Sequence, residues 1–569
     1  HTRWASVGVV SEANAHPLHQ REDESAGPVV LAALNGDVDN YAELKVAHQL
    51  HAAEEVTTDA KVIPVLVSRA LAEGLSVTEA VRSSVAQFEG SVAIGVQVGA
   101  EPDLVSLALR GSGQALYVGL AQDVFIVASE PYGVVELATE YLRMDGESLV
   151  NDDPASRGQV VTLDRRRAGT VEGIERIAYD GTELKVKRSE LAVASVTTRD
   201  IDRGDAPHFL LKELTESPRS FLKTLRGKIR TEAGSQVVDL GEDTLPLALV
   251  DKIHAGKIRR VIVIGQGTAA IAAQSMARLL DSLLVDMPVR VDAMLATELS
   301  GFGLTEDMSD TLIVAVSQSG TTTDTNRTVD ISRGRGATVL AIVNRRGSDL
   351  TDRVDGVLYT SDGRDVEMSV ASTKAFYSQI AAGCLLSLGL ASAWDAVEPR
   401  SAHELLVGLQ AMPEALDEVL SSRGEIAAIA KQHAPASRYW AIVGSGANRI
   451  AAEEVRIKLS ELCYKSIACD AIEDKKHIDL SSEPMILVCA AGLRGSNAAD
   501  IAKEVAIYRA HKAVPIVVAT QGESTFGDAV DLITVPPVHE QLDFVLSAMV
   551  GHLFGYEAAM AIDAGAQPL

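Results

Sequence analysis

The pattern of hydrophobic positions changes part-way along the chain. In the second half, unbroken apolar runs are separated by segments of helical length, whereas the first part alternates shorter β-rich runs with helical stretches. Unbroken apolar runs are typical of parallel strands that are buried on both faces. The sequence therefore predicts an α/β protein, with parallel sheets in its second half and a mixed first part that contains substantial sheet.

The apolar runs of the second half form two similar sets. The first set occupies 260–264, 311–316, 337–343 and 356–359, and the second occupies 440–443, 485–490, 513–519 and 530–535. Corresponding runs begin 174 to 180 residues apart. This spacing predicts two repeated, doubly wound domains. Ligands of such domains bind at the carboxyl ends of the strands.

The first part has its own strands and its own boundary. Strands are predicted at 29–34, 91–97, 115–119 and 124–128. The mostly polar segment 200–207 is typical of a domain boundary. We therefore expect three domains, at 1–205, 206–425 and 426–569.

Composition and charge argue against several classes of binding partner and cellular location. The 569 residues include 52 Lys and Arg against 78 Asp and Glu, which gives a net charge of −26. Such a surface repels nucleic acid and anionic membranes. The four cysteines contain no CxxC pair, so we expect no metal site and a reducing, cytoplasmic compartment. The longest apolar stretch, 380–394, is too short to span a bilayer and predicts a core helix.

Two loops that follow predicted strands are candidates for phosphate binding. Gly265-Gln266-Gly267 resembles a dinucleotide-binding turn, but the acidic residue expected after the next strand is missing, which favours a plain turn. The other loop is Ser317-Gln318-Ser319-Gly320-Thr321-Thr322. Its hydroxyls and the following helix N-terminus favour a phosphate on a small molecule, with a simple helix cap as the alternative.

Ionisable residues cluster after the second repeat begins. Glu454, Lys458 and Glu461 lie on one face of a helix predicted at 451–464. This stripe is either a solvated salt-bridge face or an acid/base face beside a pocket. His477 follows shortly afterwards. The segment that contains Ser372 comes after the fourth strand and is suited to close the same pocket.

The N-terminal part carries residues suited to a free amino acid. Arg3 and Asp59 have the charges to bind its carboxylate and its ammonium. Asn35 and the Gly36 N–H are suited to form an oxyanion hole, although Asn-Gly is also an ordinary turn signal.

The ordered motifs HTRW, NAHP, NG, TD, SQSG-T, VASTKAF and ExxxKxxE resemble those of glutamine–fructose-6-phosphate aminotransferases over nearly the whole chain. The resemblance implies an N-terminal-nucleophile-type α+β glutaminase domain followed by two doubly wound, parallel-sheet sugar isomerase (SIS) domains. It implies release of ammonia from glutamine and its transfer to fructose 6-phosphate, with isomerisation to glucosamine 6-phosphate. No cofactor is expected, and a homodimer or higher homo-oligomer is implied.

The resemblance also implies residue roles. Arg3 and Asp59 would bind glutamine beneath a loop that contains Trp4, and Asn35 and Gly36 would stabilise the oxyanion. The residues that would contact the sugar or its phosphate are Ser317, Gln318, Ser319, Thr322, Thr268 and Ser372. The residues that would act in isomerisation are Glu461 as the base that moves a proton between C1 and C2, Glu454 and Lys458 as its support, and His477 as the ring-opening group, often supplied by a partner subunit.

Several departures from the family pattern keep alternatives open. The family's nucleophilic Cys lies upstream of the HTRW motif and its Schiff-base Lys lies in a C-terminal tail, so we expect that this sequence is a fragment at its start and stops short of the tail. Gln266, Ala269 and Leu34 differ from the usual residues. A divergent amidotransferase acting on another sugar phosphate, or a non-catalytic sugar-phosphate sensor, is the alternative.

Overall fold

Antiparallel sheet and parallel sheet occupy separate parts of the chain. The computed structural model describes residues 5–20, 28–111, 114–193, 201–232 and 234–565. The chain divides into two units, His1–Asp202 and Arg203–Leu569. The predicted boundary segment 200–207 contains this division.

The first unit is a stack of one helical layer and two antiparallel sheets. Its helices are α1 (Tyr41–Ala47), α2 (Val62–Ala72) and α3 (Val77–Val85). The larger sheet has the order β1-β2-β3-β4-β8-β9 and the smaller has the order β10-β7-β5-β6. The strands are β1 (Leu18–His19), β2 (Val30–Gly36), β3 (Val92–Val98), β4 (Leu104–Arg110), β5 (Tyr117–Ala121), β6 (Val124–Ala128), β7 (Glu140–Arg143), β8 (Gln159–Asp164), β9 (Ile174–Ala178) and β10 (Ala192–Val193).

Side chains of the larger sheet alternate between two cores. Along β3, Val92, Ile94 and Val96 pack with residues of α2 and α3, whereas Ala93 packs with residues of the smaller sheet. This period of two is what an extended strand with both faces covered requires. The four strands predicted in this region are present, displaced by at most two residues.

The second unit contains two five-stranded parallel sheets of the same design. Their orders are β14-β13-β15-β16-β17 and β19-β18-β20-β21-β22, which is the same arrangement relative to chain order. The strands of the first sheet are β13 (Arg260–Gly265), β14 (Arg290–Leu295), β15 (Thr311–Ser317), β16 (Thr338–Val343) and β17 (Gly356–Tyr359). Those of the second are β18 (Trp440–Gly444), β19 (Ala468–Asp470), β20 (Met485–Ala490), β21 (Val514–Thr520) and β22 (Asp531–Val535). A hairpin of β11 (Ile229–Glu232) and β12 (Ser235–Val238) precedes them.

Helices of the second unit pack on both sheets and share one large core. They are α4 (Phe209–Leu225), α5 (Leu247–His254), α6 (Thr268–Leu283), α7 (Thr323–Gly334), α8 (Lys374–Ala393), α9 (Pro399–Ser421), α10 (Arg423–His433), α11 (Ala447–Cys463), α12 (Ile472–Ile478), α13 (Gly495–Ala510) and α14 (Phe544–Gly565). By length and composition α8 and α14 are long and apolar enough to cross a membrane, but 89% and 72% of their apolar windows are buried within the protein. The predicted core helix at 380–394 is therefore part of α8.

The two strands missed in the parallel sheets are both at sheet edges, and the hairpin strands β11 and β12 were not predicted either. All eight predicted apolar runs of this unit are strands, but β14 and β19 were not expected. β14 carries Arg290 and Asp292, and β19 is three residues long and ends at Asp470, so neither has the apolar run of a central strand. The expected division at 425/426 falls within α10 and stays a prediction.

Candidate functional site

A cleft of about 220 Å³ lies at the carboxyl ends of β13 and β15. This is the edge at which doubly wound sheets bind ligands. The residues that line it are Gln266, Thr268, Ala269, Val316, Ser317, Gln318, Ser319, Thr322, Thr325, Val370, Ser372, Gln379, Lys458 and Glu461. The structure thus brings all six residues expected at the sugar phosphate together with two of the three residues of the predicted acid/base stripe.

The hydroxyl-rich loop after β15 is held in shape by its own hydrogen bonds. Gly320 N donates to Ser317 Oγ at 3.0 Å, and Thr321 N donates to Ser319 Oγ at 3.2 Å. Both serines accept in these bonds, so their hydroxyl hydrogens are left to donate. Thr322 is the N-cap residue of α7, where the helix end favours an anion.

Gly320 is required by both its conformation and its surroundings. Its φ is +66°, and a Cβ atom at this position would lie 2.0 Å from Ser348 Oγ. Asn326 Nδ2 also donates to Gly320 O at 3.2 Å. These constraints restrict the backbone conformation of the loop at Gly320, and the backbone in turn determines where the loop hydroxyls lie.

Ser372 lines the cleft, but its hydroxyl is already used. Ser372 Oγ donates to Glu367 Oε2 at 2.8 Å, while Glu367 Oε1 accepts from Thr373 N and Ala375 N at the start of α8. Only the lone pairs of Ser372 are left for a ligand hydroxyl. Sequence reasoning missed Thr325, in the first turn of α7, and Gln379 of α8, because no motif marks either residue.

The predicted stripe on α11 is not a solvated salt-bridge face. Glu454 and Lys458 are 0% and 1% exposed, whereas the Glu461 side chain is 46% exposed. Lys458 Nζ lies 2.9 Å from Glu461 Oε2 and 3.8 Å from Glu454 Oε1. The solvated alternative is therefore wrong for Glu454 and Lys458. A carboxylate held at the cleft by a buried lysine is suited to move a proton.

Glu454 lies behind the cleft, next to Thr268 and to two polar side chains that sequence reasoning missed, Tyr377 and His552. Thr268 Oγ1 donates to Glu454 Oε1 at 3.2 Å, and His552 Nε2 lies 3.3 Å from the same oxygen. Tyr377 OH is 2.7 Å from His552 Nδ1. Burial, with a smaller contribution from the Glu454 charge, raises the pKa of Tyr377 well above its usual value.

His477 is separate from these groups. It is exposed on α12 and is not among the described residues that line the cleft. Its neighbour Lys475 is fully buried and pairs with Asp470 at 3.4 Å and with Asp479. The role expected of His477 stays a prediction.

In the first unit, Asp59 is tied to the segment that follows Asn35 and Gly36. Asp59 Oδ2 accepts from Val38 N at 2.8 Å, and burial raises the pKa of Asp59. Asn35 is exposed, while Gly36 has a φ of +108° and no room for a Cβ atom, which would lie 2.0 Å from Ser91 O. Arg3 and Trp4 lie outside the described residues.

Asn14, from the NAHP motif, anchors the neighbouring loop. Its Oδ1 accepts from Thr57 N at 2.9 Å and from Thr58 N at 3.2 Å, and its Nδ2 donates to Val9 O at 3.0 Å. Asn14 thereby joins the described part of the N-terminal loop to the segment that carries Asp59. The motif alone did not indicate this role.

Comparison with known proteins decides the family. The SIS domain model matches residues 256–388. The chain is 31% identical over 566 residues to glutamine–fructose-6-phosphate aminotransferase (isomerizing) of Symbiobacterium thermophilum, covering 99% of this chain and 86% of that protein. The chain belongs to the glutamine–fructose-6-phosphate aminotransferase family. The same enzyme of Thermus thermophilus is also 31% identical, with the same two coverages, 99% and 86%.

A solved structure of this family supports the fold of the second unit. The C-terminal domain of glucosamine-fructose-6-phosphate aminotransferase from Francisella tularensis superposes with a TM-score of 0.55 at 19% identity. It covers 64% of this chain and 98% of that domain. At this identity the likeness concerns the fold alone, in agreement with the paired parallel sheets.

Proposed function

We propose that this protein transfers the amide nitrogen of glutamine to fructose 6-phosphate and isomerises the product to glucosamine 6-phosphate. The single observation that supports this most is one cleft that combines a hydroxyl-rich phosphate loop with Lys458 and Glu461. Family membership supplies the substrates, because relatives that this chain matches over 99% of its length carry this activity in their names.

In the isomerase site, hydroxyl and amide groups of the loop after β15 bind the phosphate. Ser317, Ser319 and Thr322 donate hydroxyl hydrogens, Gln318 adds its amide, and the start of α7 adds its backbone N–H groups. Thr268 and Ser372 contact the sugar from neighbouring loops. This arrangement explains how a protein of net charge −26 holds an anionic substrate.

The reaction consumes glutamine and fructose 6-phosphate and yields glutamate and glucosamine 6-phosphate. Water adds to the glutamine amide carbon as ammonia leaves, and ammonia replaces the C2 carbonyl oxygen of the opened sugar, which leaves as water. Glu461 then takes a proton from C1 and returns it to C2, so the substrate atoms balance without a redox partner. Lys458 and Glu454 hold Glu461 in place.

We assign the ring-opening role to His477 of a neighbouring subunit, so that the active protein is a homodimer or higher oligomer. His477 is exposed and lies on a short helix, which leaves its imidazole available for such a contact. We place the protein in the cytoplasm, where both substrates are present.

In the glutaminase unit, Arg3 binds the glutamine carboxylate and Asp59 binds its ammonium, beneath the loop that contains Trp4. Asn35 and the Gly36 N–H stabilise the tetrahedral oxyanion. We propose an N-terminal-nucleophile fold for this unit and domain limits at 1–205, 206–425 and 426–569. The helix–sheet–sheet layering of the described part agrees with it.

A second candidate substrate is another ketose phosphate. Gln266 and Ala269 both line the cleft in place of the family's usual small polar and hydroxyl residues. Gln266 Nε2 donates to Thr297 Oγ1 at 3.3 Å, while no described residue bonds to its buried Oε1. An acceptor in this position favours a sugar whose hydroxyl points towards β13.

The test uses protein expressed from the complete reading frame. Glutamine is supplied with fructose 6-phosphate or with other ketose phosphates, and each amino sugar product is identified by mass and NMR. Fructose 6-phosphate should give the highest kcat/KM. Faster turnover of another ketose phosphate supports the second candidate, and sugar-phosphate binding without glutamine hydrolysis or product supports a sensor.

A further inference from the structure

Two buried ionisable side chains next to the cleft have no part in the proposed reaction. Glu213 of α4 is 1% exposed and Lys374, the first residue of α8, is 4% exposed. Neither is among the described residues that line the cleft. Both bond to residues 366–373, which we call the wall segment because Val370 and Ser372 within it line the cleft. Buried charged groups require such partners, so these contacts indicate what the two residues do.

Glu213 binds the backbone of the wall segment. Its Oε1 accepts from Met368 N at 2.5 Å and from Ser369 N at 3.1 Å. Ser369 Oγ also contacts Glu213 Oε2, which is closer than the other acceptor of this hydroxyl, Ala371 O, at 3.3 Å. One carboxylate of α4 thus holds two consecutive backbone N–H groups of the wall segment.

This hold on the backbone does not depend on the charge of Glu213. Burial, partly offset by the hydrogen bond from Ser369, raises the pKa of Glu213. A protonated carboxyl group still has an oxygen that accepts hydrogen bonds. Oε1 therefore binds the two N–H groups whether or not Oε2 carries a proton.

Lys374 binds the beginning of the wall segment. Its Nζ donates to Val366 O at 2.9 Å and to Glu216 Oε2 of α4 at 2.8 Å. Burial lowers the pKa of Lys374, but the carboxylates of Asp365 and Glu216 more than offset this and raise the pKa overall. Lys374 is therefore a buried cation. Lys223 of α4 also lies 3.2 Å from Asp365 Oδ1, just before the wall segment.

Glu367 connects these contacts to the cleft. It lies between the two residues whose backbone groups Lys374 and Glu213 bind. Its Oε2 accepts from Ser372 Oγ at 2.8 Å, and its Oε1 accepts from Thr373 N at 3.0 Å. Because its hydrogen is used in this way, Ser372 offers oxygen lone pairs to a ligand. Such an acceptor works only when it is held at the correct distance from a ligand hydroxyl.

We propose that Glu213 and Lys374 are positioning residues for the sugar phosphate cleft, which hold the wall segment so that Ser372 accepts a hydrogen bond from a hydroxyl of the sugar. The proposal rests on the proposed function, since that function supplies the sugar. The loop after β15, which binds the phosphate, has its own internal hydrogen bonds and should keep its shape without these two residues.

The first experiment compares variants of the complete protein. Glu213→Leu removes the carboxylate, whereas Glu213→Gln keeps one oxygen that can accept from the two N–H groups. Asp543→Leu is the matched control, because Asp543 is 2% exposed and its Oδ1 accepts from Val538 N and His539 N, each at 2.9 Å. The control removes the same kind of bond from a loop of the second repeat that is not among the described lining of the cleft.

We expect Glu213→Leu to raise KM for fructose 6-phosphate about three- to ten-fold, which is the effect of losing one hydrogen bond between uncharged groups. Its kcat and its rate of glutamine hydrolysis should stay within about two-fold of wild type. Glu213→Gln and Asp543→Leu should keep the wild-type KM. Lys374→Met should raise KM as Glu213→Leu does.

Equal KM values in Glu213→Leu and Asp543→Leu would overturn the role of Glu213, as would a KM raised equally in Glu213→Gln and Glu213→Leu. A wild-type KM in Lys374→Met would overturn the role of Lys374. If Glu213→Leu does not fold, Glu213→Asp decides, because it keeps the carboxylate but withdraws it by one carbon. A wild-type KM in Glu213→Asp then contradicts the proposal.

A second measurement does not depend on turnover. Calorimetry without glutamine compares the binding of fructose 6-phosphate and of inorganic phosphate to wild type and to Glu213→Leu. We expect the variant to bind fructose 6-phosphate about three- to ten-fold more weakly and inorganic phosphate equally well. Equal weakening of both ligands, or of neither, contradicts the proposal. A wild-type protein that binds inorganic phosphate but not fructose 6-phosphate contradicts the proposed function instead.

Discussion

Lys458 Nζ lies 2.9 Å from Glu461 Oε2, and the two side chains share the wall of the cleft. They differ in exposure, because the Lys458 side chain is 2% exposed and that of Glu461 is 46% exposed. The buried cation holds one carboxylate oxygen of Glu461, while the Glu461 side chain remains partly exposed at the cleft. This asymmetry is what a base that works on a bound sugar needs.

Glu461→Gln should abolish most of the isomerisation. An amide cannot accept the C1 proton, and general bases contribute about 10²- to 10⁴-fold to rate. We expect kcat for amino sugar formation to fall by that order while glutamine hydrolysis continues. Glu453→Gln is the control, since Glu453 lies on the same helix and pairs with Arg449 at 2.8 Å. Equal losses in the two variants would contradict the role of Glu461.

Ser319→Ala should weaken binding of the sugar phosphate. A hydrogen bond to a charged group contributes about 1.5–3 kcal/mol, so KM should rise about ten- to a hundred-fold with a smaller change in kcat. Steady-state kinetics at varied fructose 6-phosphate measure this. Ser496→Ala changes a serine at the corresponding helix start of the second repeat, where we expect no effect. A KM unchanged in Ser319→Ala would count against the phosphate loop.

Gly320→Ala should destabilise the second unit. The added Cβ atom would meet Ser348 Oγ at 2.0 Å and sit at a φ of +66°. Gly256→Ala separates strain from collision, because Gly256 has a φ of +64° with nothing within 4 Å of the added atom. We expect Gly256→Ala to cost about 1–2 kcal/mol of backbone strain, and Gly320→Ala to lower the melting temperature further. Equal melting temperatures would show that the loop shifts to accommodate the methyl group.

Asp59→Asn should affect glutamine and leave the sugar site unchanged. If Asp59 binds the substrate ammonium as proposed, removing its negative charge should raise KM for glutamine about ten-fold or more, at 1.4 kcal/mol per ten-fold. Asp39→Asn provides an exposed carboxylate nearby as the control. Sugar-phosphate binding, followed by calorimetry, should be the same in both variants. An unchanged KM in Asp59→Asn would assign Asp59 to structure alone, through its bond to Val38 N.

The sequence was sufficient for the central strands of the two parallel sheets and for the loops that follow them, but not for β4 and β8 inside the larger antiparallel sheet. Parallel strands such as β15 and β20 are buried at every position, and their interiors are unbroken apolar runs, which is the pattern that predicted them. Edge strands β14 and β19 have a neighbouring strand on one side only, and they contain polar residues. They therefore lack the unbroken apolar run by which the other strands were predicted. The helix predicted at 451–464 begins earlier, at Ala447, because Gly446 is its N-cap.

The cleft was predictable where it follows strand ends and unpredictable where helices meet. The spacing of Glu454, Lys458 and Glu461 fits both a solvated salt-bridge face and an acid/base face beside a pocket. Only the packing of α11 against its neighbours distinguishes these two alternatives. Tyr377 and His552 are 175 residues apart and lie in helices that are apolar on all sides, so no periodicity indicated their contact.

The central claim is that glutamine nitrogen reaches the sugar in this protein. The complete protein is given glutamine labelled with ¹⁵N at the amide and unlabelled fructose 6-phosphate, and the products are followed by ¹⁵N-filtered NMR. We predict one labelled C2 amino group of glucosamine 6-phosphate for each glutamate formed. Labelled ammonium with no labelled amino sugar would contradict the account.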